Sequence, residues 1–240
     1  MKIVQAKRNR KTIIVDSNLF LYLDKQNTKR YLRYSMDGVF PTTGNYFSDN
    51  PDPKRWIKVS QDLGIRTRQW RTQGNHILIC LQRNGGWSMK GLDNQDWARD
   101  VITRIRQFSD RPIIIRGHPG DRRAGKYLNP KEKAYKLHGL DNVHISDRLN
   151  RSLQMDLNNA WCTVVYNSSP AVASAIEGIP VFVDDPIDCQ AQDVCNSDIA
   201  NIEMPDVFDR ELWLQKLSMC HWNFDELTSG EAWEHMRKYV

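Results

Sequence analysis

Two segments about fifty residues apart carry residue types suited to holding an anionic ligand: "RPIIIRGHPGD" (111–121) and "VVYNSSPAVASAIEGIPVF" (164–182). The imidazole of His118, the guanidinium of Arg116, the amide of Asn167 and the hydroxyls of Ser168 and Ser169 are all hydrogen-bond donors. Fixed donors of this kind stabilise the negative charge that grows on a phosphate as it leaves. Ser169 and Pro170 also stand where a helix would begin, at the N-cap and first helical positions, so free backbone N–H groups would add to the anion site. A third segment, Gln82, Arg83, Asn84, Gly85 and Gly86, ends another apolar run, and its glycines allow close approach of a ligand. Together these groups predict a pocket for phosphate within a nucleotide.

The elements that position them follow from patterning. "HILICLQ" (76–82), "PIIIRG" (112–117), "NVHIS" (142–146), "CTVVY" (162–166) and "PVFVD" (180–184) read as short buried strands. Helical spacing of Trp97, Val101, Ile105 and Phe108 predicts a helix over 96–108, and further helices are expected at 152–160 and 170–177. The alternation makes an α/β, Rossmann-like parallel sheet, with ligands expected outside the carboxyl ends of the strands. Two later helices are expected at 209–219 and 229–239. Before Gly74 the pattern differs: a strand at 11–16, a turn-rich stretch at 37–53 and a helix at 53–63. The expected division is therefore an N-terminal portion, 1–75, and a Rossmann-like portion with C-terminal helices, 76–240.

Composition sets further bounds. Eight Trp among 240 residues exclude general disorder. No apolar stretch reaches the roughly 20 residues of a membrane span, and the N-terminus lacks signal-peptide character, so a cytoplasmic location is expected. Five cysteines without a framework predict reduced, packed thiols, and Cys189 with Cys195 makes a poor zinc site. Charge is unevenly spread: residues 1–75 hold 15 Lys and Arg against 6 Asp and Glu, whereas 76–240 hold 19 against 23. "KRNRK" (7–11), "KRYLRY" (29–34) and "RTRQWR" (66–71) concentrate it, the last two with aromatic residues interleaved. Arg30, Arg33, Arg68, Trp70 and Arg71 are accordingly expected to bind a polyanionic acceptor, with nucleic acid the leading candidate and an ordinary solvated face the alternative.

The "GHP" after one strand and the "NSSPAVASAIEGIPVF" two strands later resemble the nucleotide-sugar half of GT-B glycosyltransferases, especially the capsular-polysaccharide Kdo transferases. The likeness covers roughly residues 76–185. "TIIVDSNLF" with "RYSMDGVFPTTGNYF" more weakly resembles that family's acceptor side, and the sequence as a whole, "SGEAWEHMRKY" included, looks like phage proteins. The resemblance implies a reduced GT-B architecture with a short acceptor portion. It also implies a metal-independent enzyme in which His118 and the loop of Asn167, Ser168 and Ser169 hold a nucleotide-sugar donor such as UDP-glucose, with no other cofactor; the reading of the strand ends adds Arg83, Asn84, Gly85 and Arg116 to that set. Where the family has a glutamate near the donor ribose this chain has Ala173, and Glu177 lies one helical turn later.

A base must take the acceptor's hydroxyl proton, and Asp16 and Asp37 are the candidates, against a plain turn or cap role for each. The N-terminal basic charge makes 5-hydroxymethylcytosine in phage DNA the favoured acceptor, in a host cytoplasm. A cell-surface polysaccharide glycosyltransferase and a non-catalytic nucleotide- or nucleic-acid-binding module are the alternatives. "VDDPID" (183–188) offers carboxylates for a metal, although its position after a late strand favours the metal-free reading.

Overall fold

The computed structural model describes residues 11–20 and 31–240. The chain divides into two compact units, one formed by 1–66 with 209–240 and the other by 67–208. The boundary expected at residue 75 thus falls at 66, and the C-terminal helices group with the N-terminal segment rather than with the Rossmann-like sheet.

The second unit is built on five parallel strands: β3 (His76–Cys80), β4 (Ile113–Arg116), β5 (Val143–Ile145), β6 (Ala160–Val165) and β7 (Val181–Val183). Their spatial order is β5-β4-β3-β6-β7. The first of these strands in the chain is therefore central, and strand order reverses between it and β6, the switch point at which open α/β sheets bind ligands. Every residue of β3 and β6 is buried, as expected for parallel strands covered on both faces. Helix α2 (Asn94–Ile105) follows β3; Asp93 caps it by accepting from Gln95 and Asp96 N–H, and Trp97, Val101, Ile102 and Ile105 turn into the core. Helices α3 (Ala124–Tyr127), α4 (Leu153–Leu157) and α5 (Pro170–Ile176) complete the alternation. Gly178, at φ 72°, closes α5, and a Cβ there would come within 2.0 Å of the Gln69 carbonyl oxygen. Only glycine meets both demands.

In the first unit β1 (Ile13–Ser17), β2 (Leu32–Met36) and β8 (His221–Trp222) form an antiparallel sheet in the order β1-β2-β8. Residues 32–34 of the basic aromatic run at 29–34 lie in strand β2. Helix α1 (Pro53–Leu63) has Asp52 as N-cap and Gly64 in the left-handed C-cap conformation. Helices α6 (Glu211–Met219), α7 (Phe224–Thr228) and α8 (Glu231–Met236) complete it. The buried Arg55 of α1 bonds Glu226 through both guanidinium nitrogens, one at 2.8 Å, and also donates to the His221 carbonyl. Glu226 in turn forms the capping box of α7 with Asn223. Among the described residues no helix is long and apolar enough to cross a membrane. All five cysteines are free, and four of them are buried.

His221 is fully buried between two backbone partners. Its Nδ1 lies 2.6 Å from the Leu217 carbonyl, which can only accept, so Nδ1 carries the proton and Nε2 accepts the Leu19 N–H at 3.2 Å. Burial, helped by Arg33 and Arg55, pushes its pKa down to about 3. The unfolded chain, with an ordinary histidine, therefore binds a proton that the native state refuses between about pH 6.5 and 3. Stability from this group is complete above pH 6.5 and falls by about 1.4 kcal/mol per pH unit below it. Urea midpoints should drop between pH 7 and 5, and His221→Gln should flatten that dependence; an unchanged slope in the variant would assign the titration elsewhere.

Candidate functional site

At the carboxyl edge of the parallel sheet three loops come together, after β3, β4 and β6. Gln82 and Asn167 are both buried and both reach Ser88: Gln82 Nε2 donates to its hydroxyl at 2.7 Å and Asn167 Nδ2 to its carbonyl at 3.2 Å. This fastens the Gly85–Gly91 loop across the β3–β6 switch point. Lys90 adds a second tie, at 2.7 Å from Asp185 and 3.0 Å from Asp188. Three buried polar atoms at the same edge find no protein partner: Gln82 Oε1, Asn167 Oδ1 and Ser168 Oγ. Buried polar groups are nearly always hydrogen-bonded, so a row of orphans at a ligand crevice marks groups that await a ligand or water.

The β4 loop supplies the donor. His118 Nδ1 accepts the Gly120 N–H at 3.0 Å, which leaves the proton on Nε2. Burial, then the neighbouring Arg83 and Arg148 charges, hold His118 below the ordinary histidine value against the opposing pull of Asp121. At neutral pH it is an uncharged imidazole whose Nε2–H can donate. Asp121 braces this loop by accepting from Asn84 N–H and from the Tyr127 hydroxyl, both at 2.9 Å. Asn84 itself donates to Asp93 at 2.9 Å, and Arg123 donates to the Asn84 carbonyl at 3.0 Å. Gly85, at φ 71°, makes the turn that follows. Among the described residues Arg83 has no ion-pair or hydrogen-bond partner, and its guanidinium fills the space that a Cβ on Gly120 would need, 2.6 Å away. Positive charge is thus left unneutralised beside His118.

Other expected site residues are placed differently. Arg116 is buried and spends its charge on Asp156, at 2.5 Å, where Ser146 and Arg151 also converge at 2.5 and 2.8 Å. Burial would raise the Asp156 carboxyl, but the bonds from Ser146, Arg151 and Arg116 outweigh it and hold the group below the usual carboxylate range. Arg116 therefore orders the edge instead of facing a ligand. Ser169 does precede α5, with Pro170 in the first turn, but its side chain makes no capping bond because its backbone is already helical, at φ −58° and ψ −21°. Asp184 accepts from Trp97 and Arg104, each at 2.8 Å, so the "VDDPID" carboxylates at the end of β7 are matched to donors or to Lys90.

The basic acceptor set is dispersed. Arg71 donates to the Leu157 and Ala160 carbonyls at 2.9 and 3.3 Å, and Trp70 to the Phe208 carbonyl at 2.9 Å. Arg68 pairs with Glu177 at 2.9 Å. These contacts lie at the amino edge of the parallel sheet, opposite the ligand loops, and they also remove Glu177 from any ribose. In the first unit Arg33 is buried against Asp16 at 2.6 Å, and Arg30 lies outside the described residues. Asp37 is left-handed, at φ 63°, and accepts the Thr12 N–H at 2.8 Å. Because β1 and β2 are antiparallel, with Asp16 opposite Arg33 and Ile13 opposite Met36, the two aspartates sit at opposite ends of the ribbon, about 13 Å of strand apart. They do not share a site.

No protein-family model matches the chain, and no curated protein matches it. Among solved structures the chain is similar to Thermosulfurimonas dismutans KpsC, beta Kdo 2,7 transferase, with 14% identity and a TM-score of 0.52 over 85% of this chain and 68% of that one. It is also similar to Thermosulfurimonas dismutans KpsC, beta Kdo 2,4 transferase, with 11% identity and a TM-score of 0.53 over 94% of this chain and 80% of that one. At these identities the likeness is one of fold, and it extends over both units.

Two substitutions separate scaffold from binding surface. Asp156→Asn should lower unfolding stability by about 3–5 kcal/mol, since it strands buried Arg116. Arg83→Ala should leave the melting temperature unchanged and, if the unpaired guanidinium meets an anion, weaken binding of inorganic pyrophosphate about tenfold. Denaturation curves and fluorescence titration of each variant check the division of roles.

Proposed function

We propose that this chain is a glycosyltransferase that moves a sugar from a nucleotide-sugar donor to a hydroxyl of a saccharide acceptor, without a metal. The observation that carries the reading is the row of orphaned polar atoms on Gln82, Asn167 and Ser168 at the switch point, next to the Nε2–H of His118 and the unpaired Arg83. In such a reaction the bond between the anomeric carbon and phosphate oxygen breaks, and its electron pair stays on the phosphate. His118, Ser168 and Arg83 would meet that charge, which is the role fixed donors play in a water-poor site. The acceptor oxygen forms the new bond and gives up its proton to a base. Asp16 suits that task better than Asp37, because it is half exposed near a strand end. The engagement of Asp185 and Asp188 by Lys90 supports metal independence. A nucleotide-sugar donor implies a cytoplasmic reaction.

The saccharide acceptor is preferred over hydroxymethylated DNA for a physical reason. The DNA reading rests on basic side chains free to meet phosphates, and Arg33, Arg68 and Arg71 spend their donors within the protein, as Trp70 does. Two of the structures similar to this chain are Kdo transferases, which supports a saccharide.

The test is incubation with UDP-glucose and with GDP-, dTDP- and CMP-activated sugars, offered a Kdo-terminated oligosaccharide or hydroxymethylcytosine DNA, with products read by mass spectrometry. A mass gain on the saccharide is expected, reduced about a hundredfold by His118→Ala or Ser168→Ala. A gain on DNA alone would reinstate the DNA acceptor. Nucleotide binding with no transfer to either would make the chain a binding module.

A further inference from the structure

The strand order β5-β4-β3 sets the turn after β4, Gly117–Gly120, between two neighbouring strand ends. Arg83 comes to that turn from the loop after β3, and Arg148 from the turn after β5. Each sits where a glycine leaves room for it. A Cβ on Gly120 would lie 2.6 Å from the Arg83 guanidinium, and one on Gly117 would lie 3.2 Å from Cδ of Arg148. Arg148 Nη1 then donates to the Pro119 carbonyl at 3.2 Å, so its head group is fixed against the same turn.

No carboxylate answers this pair. Among the described residues neither guanidinium has an ion-pair partner, and the acids closest in the chain are engaged. Asp121 accepts from Asn84, Arg123 and Tyr127, each at 2.9 Å, and Asp147 accepts from the Asn150 side chain at 2.7 Å. His118 belongs to the turn itself; burial first, then Arg83 and Arg148, keep its ring neutral against the pull of Asp121. Two like charges are thus held at one turn with an N–H donor beside them, an arrangement that an incoming anion relieves.

The ester chemistry of the ligand decides which anion fits. A sugar joined to a nucleoside monophosphate is a phosphodiester with a single negative charge, whereas one joined to a nucleoside diphosphate carries a charge on each phosphorus. Two unanswered guanidinium groups match the second. Spacing agrees: β3 and β5 are two strand spacings apart, about 10 Å, so arginines arriving from either side suit one phosphate each, through the planar fork that guanidinium presents. We propose that Arg148 is a further phosphate-binding residue which, together with Arg83, selects a nucleoside diphosphate over a nucleoside monophosphate. The inference rests on the donor-site reading for its place, but it concerns binding and does not require that sugar be transferred.

Isothermal titration of the full chain with UDP, UMP, inorganic pyrophosphate and inorganic phosphate tests it. UDP should bind about tenfold tighter than UMP, and pyrophosphate tighter than phosphate. Arg148→Ala should weaken UDP and pyrophosphate about tenfold and leave UMP where it was, which removes the preference. Arg148→Gln, able to donate to the Pro119 carbonyl without the charge, should behave like the alanine variant and so separates charge from any loosening of the turn. Arg148→Lys should recover most of the preference, and Lys133→Ala, an exposed charge on another loop, should change nothing. Equal affinity for UDP and UMP, binding of neither, or a loss in Arg148→Ala that falls equally on both would overturn the proposal. Displacement of pyrophosphate by a hydroxymethylcytosine duplex would also overturn it, by giving the arginine pair to a nucleic-acid backbone. An Arg148-dependent preference for UDP without transfer from any donor would leave this inference standing and remove the transferase reading. Transfer from a CMP-activated sugar that Arg148→Ala does not affect would do the reverse.

Discussion

One carboxylate with no water contact organises the ligand edge of the second unit. Asp156 receives Arg116 from the end of β4, Ser146 from just past β5, and Arg151, while its own backbone carbonyl is 2.9 Å from the His76 ring at the start of β3. A buried charge of this kind is tolerable only when each lone pair has a partner, and here the partners come from neighbouring strands. The consequence is directional. With Arg116 drawn under the sheet, the chain beyond it turns outward as Gly117–Asp121 and delivers His118 to the surface with its proton on the outer nitrogen. The ion pair and the donor are successive results of the same strand ending.

The site that follows is cationic without being crowded with charge. His118 is held neutral by burial and by Arg83 and Arg148, so it contributes a dipole rather than a second full charge. The charge of Arg83 is unpaired among the described residues, because the nearby acids are spent elsewhere: Asp121 on Asn84 and Tyr127, Asp185 and Asp188 on Lys90. On the proposed function, an incoming phosphate would meet one unpaired guanidinium, one N–H and the unpaired hydroxyl of Ser168. Preorganisation of that sort is what a leaving group needs, since little of the protein must reorient as charge develops.

Much of this edge was legible in the chain. Apolar runs bounded by Gly and Pro located all five parallel strands, and "GHP" and "NSSP" marked two of the three loops. The helix over 53–63 was set by Pro53 and Gly64, whose backbone preferences act locally. What was not legible depended on partners distant in sequence. Nothing local tells Arg116 to pair with Asp156, forty residues on, instead of with a ligand. Strand β8 is two residues long and exists only because β2 accepts it, so it leaves no periodic signal. The return of residues 209–240 to the first unit is likewise invisible to pattern, since an amphipathic helix does not say which core it covers. Asn84 followed by Asp93 and Asn94, all linked around one turn, is the kind of polar spacing that could have flagged the Ser88 loop as built rather than irregular.

The same reasoning shows why net charge alone does not identify an acceptor. A count of basic residues treats every guanidinium as surface, yet arginine is the residue best able to satisfy several backbone carbonyls at once while lying along apolar or aromatic groups. Arg55 lies on Trp222, bound to Glu226 and to the His221 carbonyl; Arg71 ties the carbonyl at the end of α4 to the one at the start of β6; Arg33 is buried against Asp16. In each case the charge is part of the scaffold. The lysines follow the opposite logic, because a compact, strongly hydrated ammonium gains little from such burial. Lys54 and Lys238 accordingly stay at the surface.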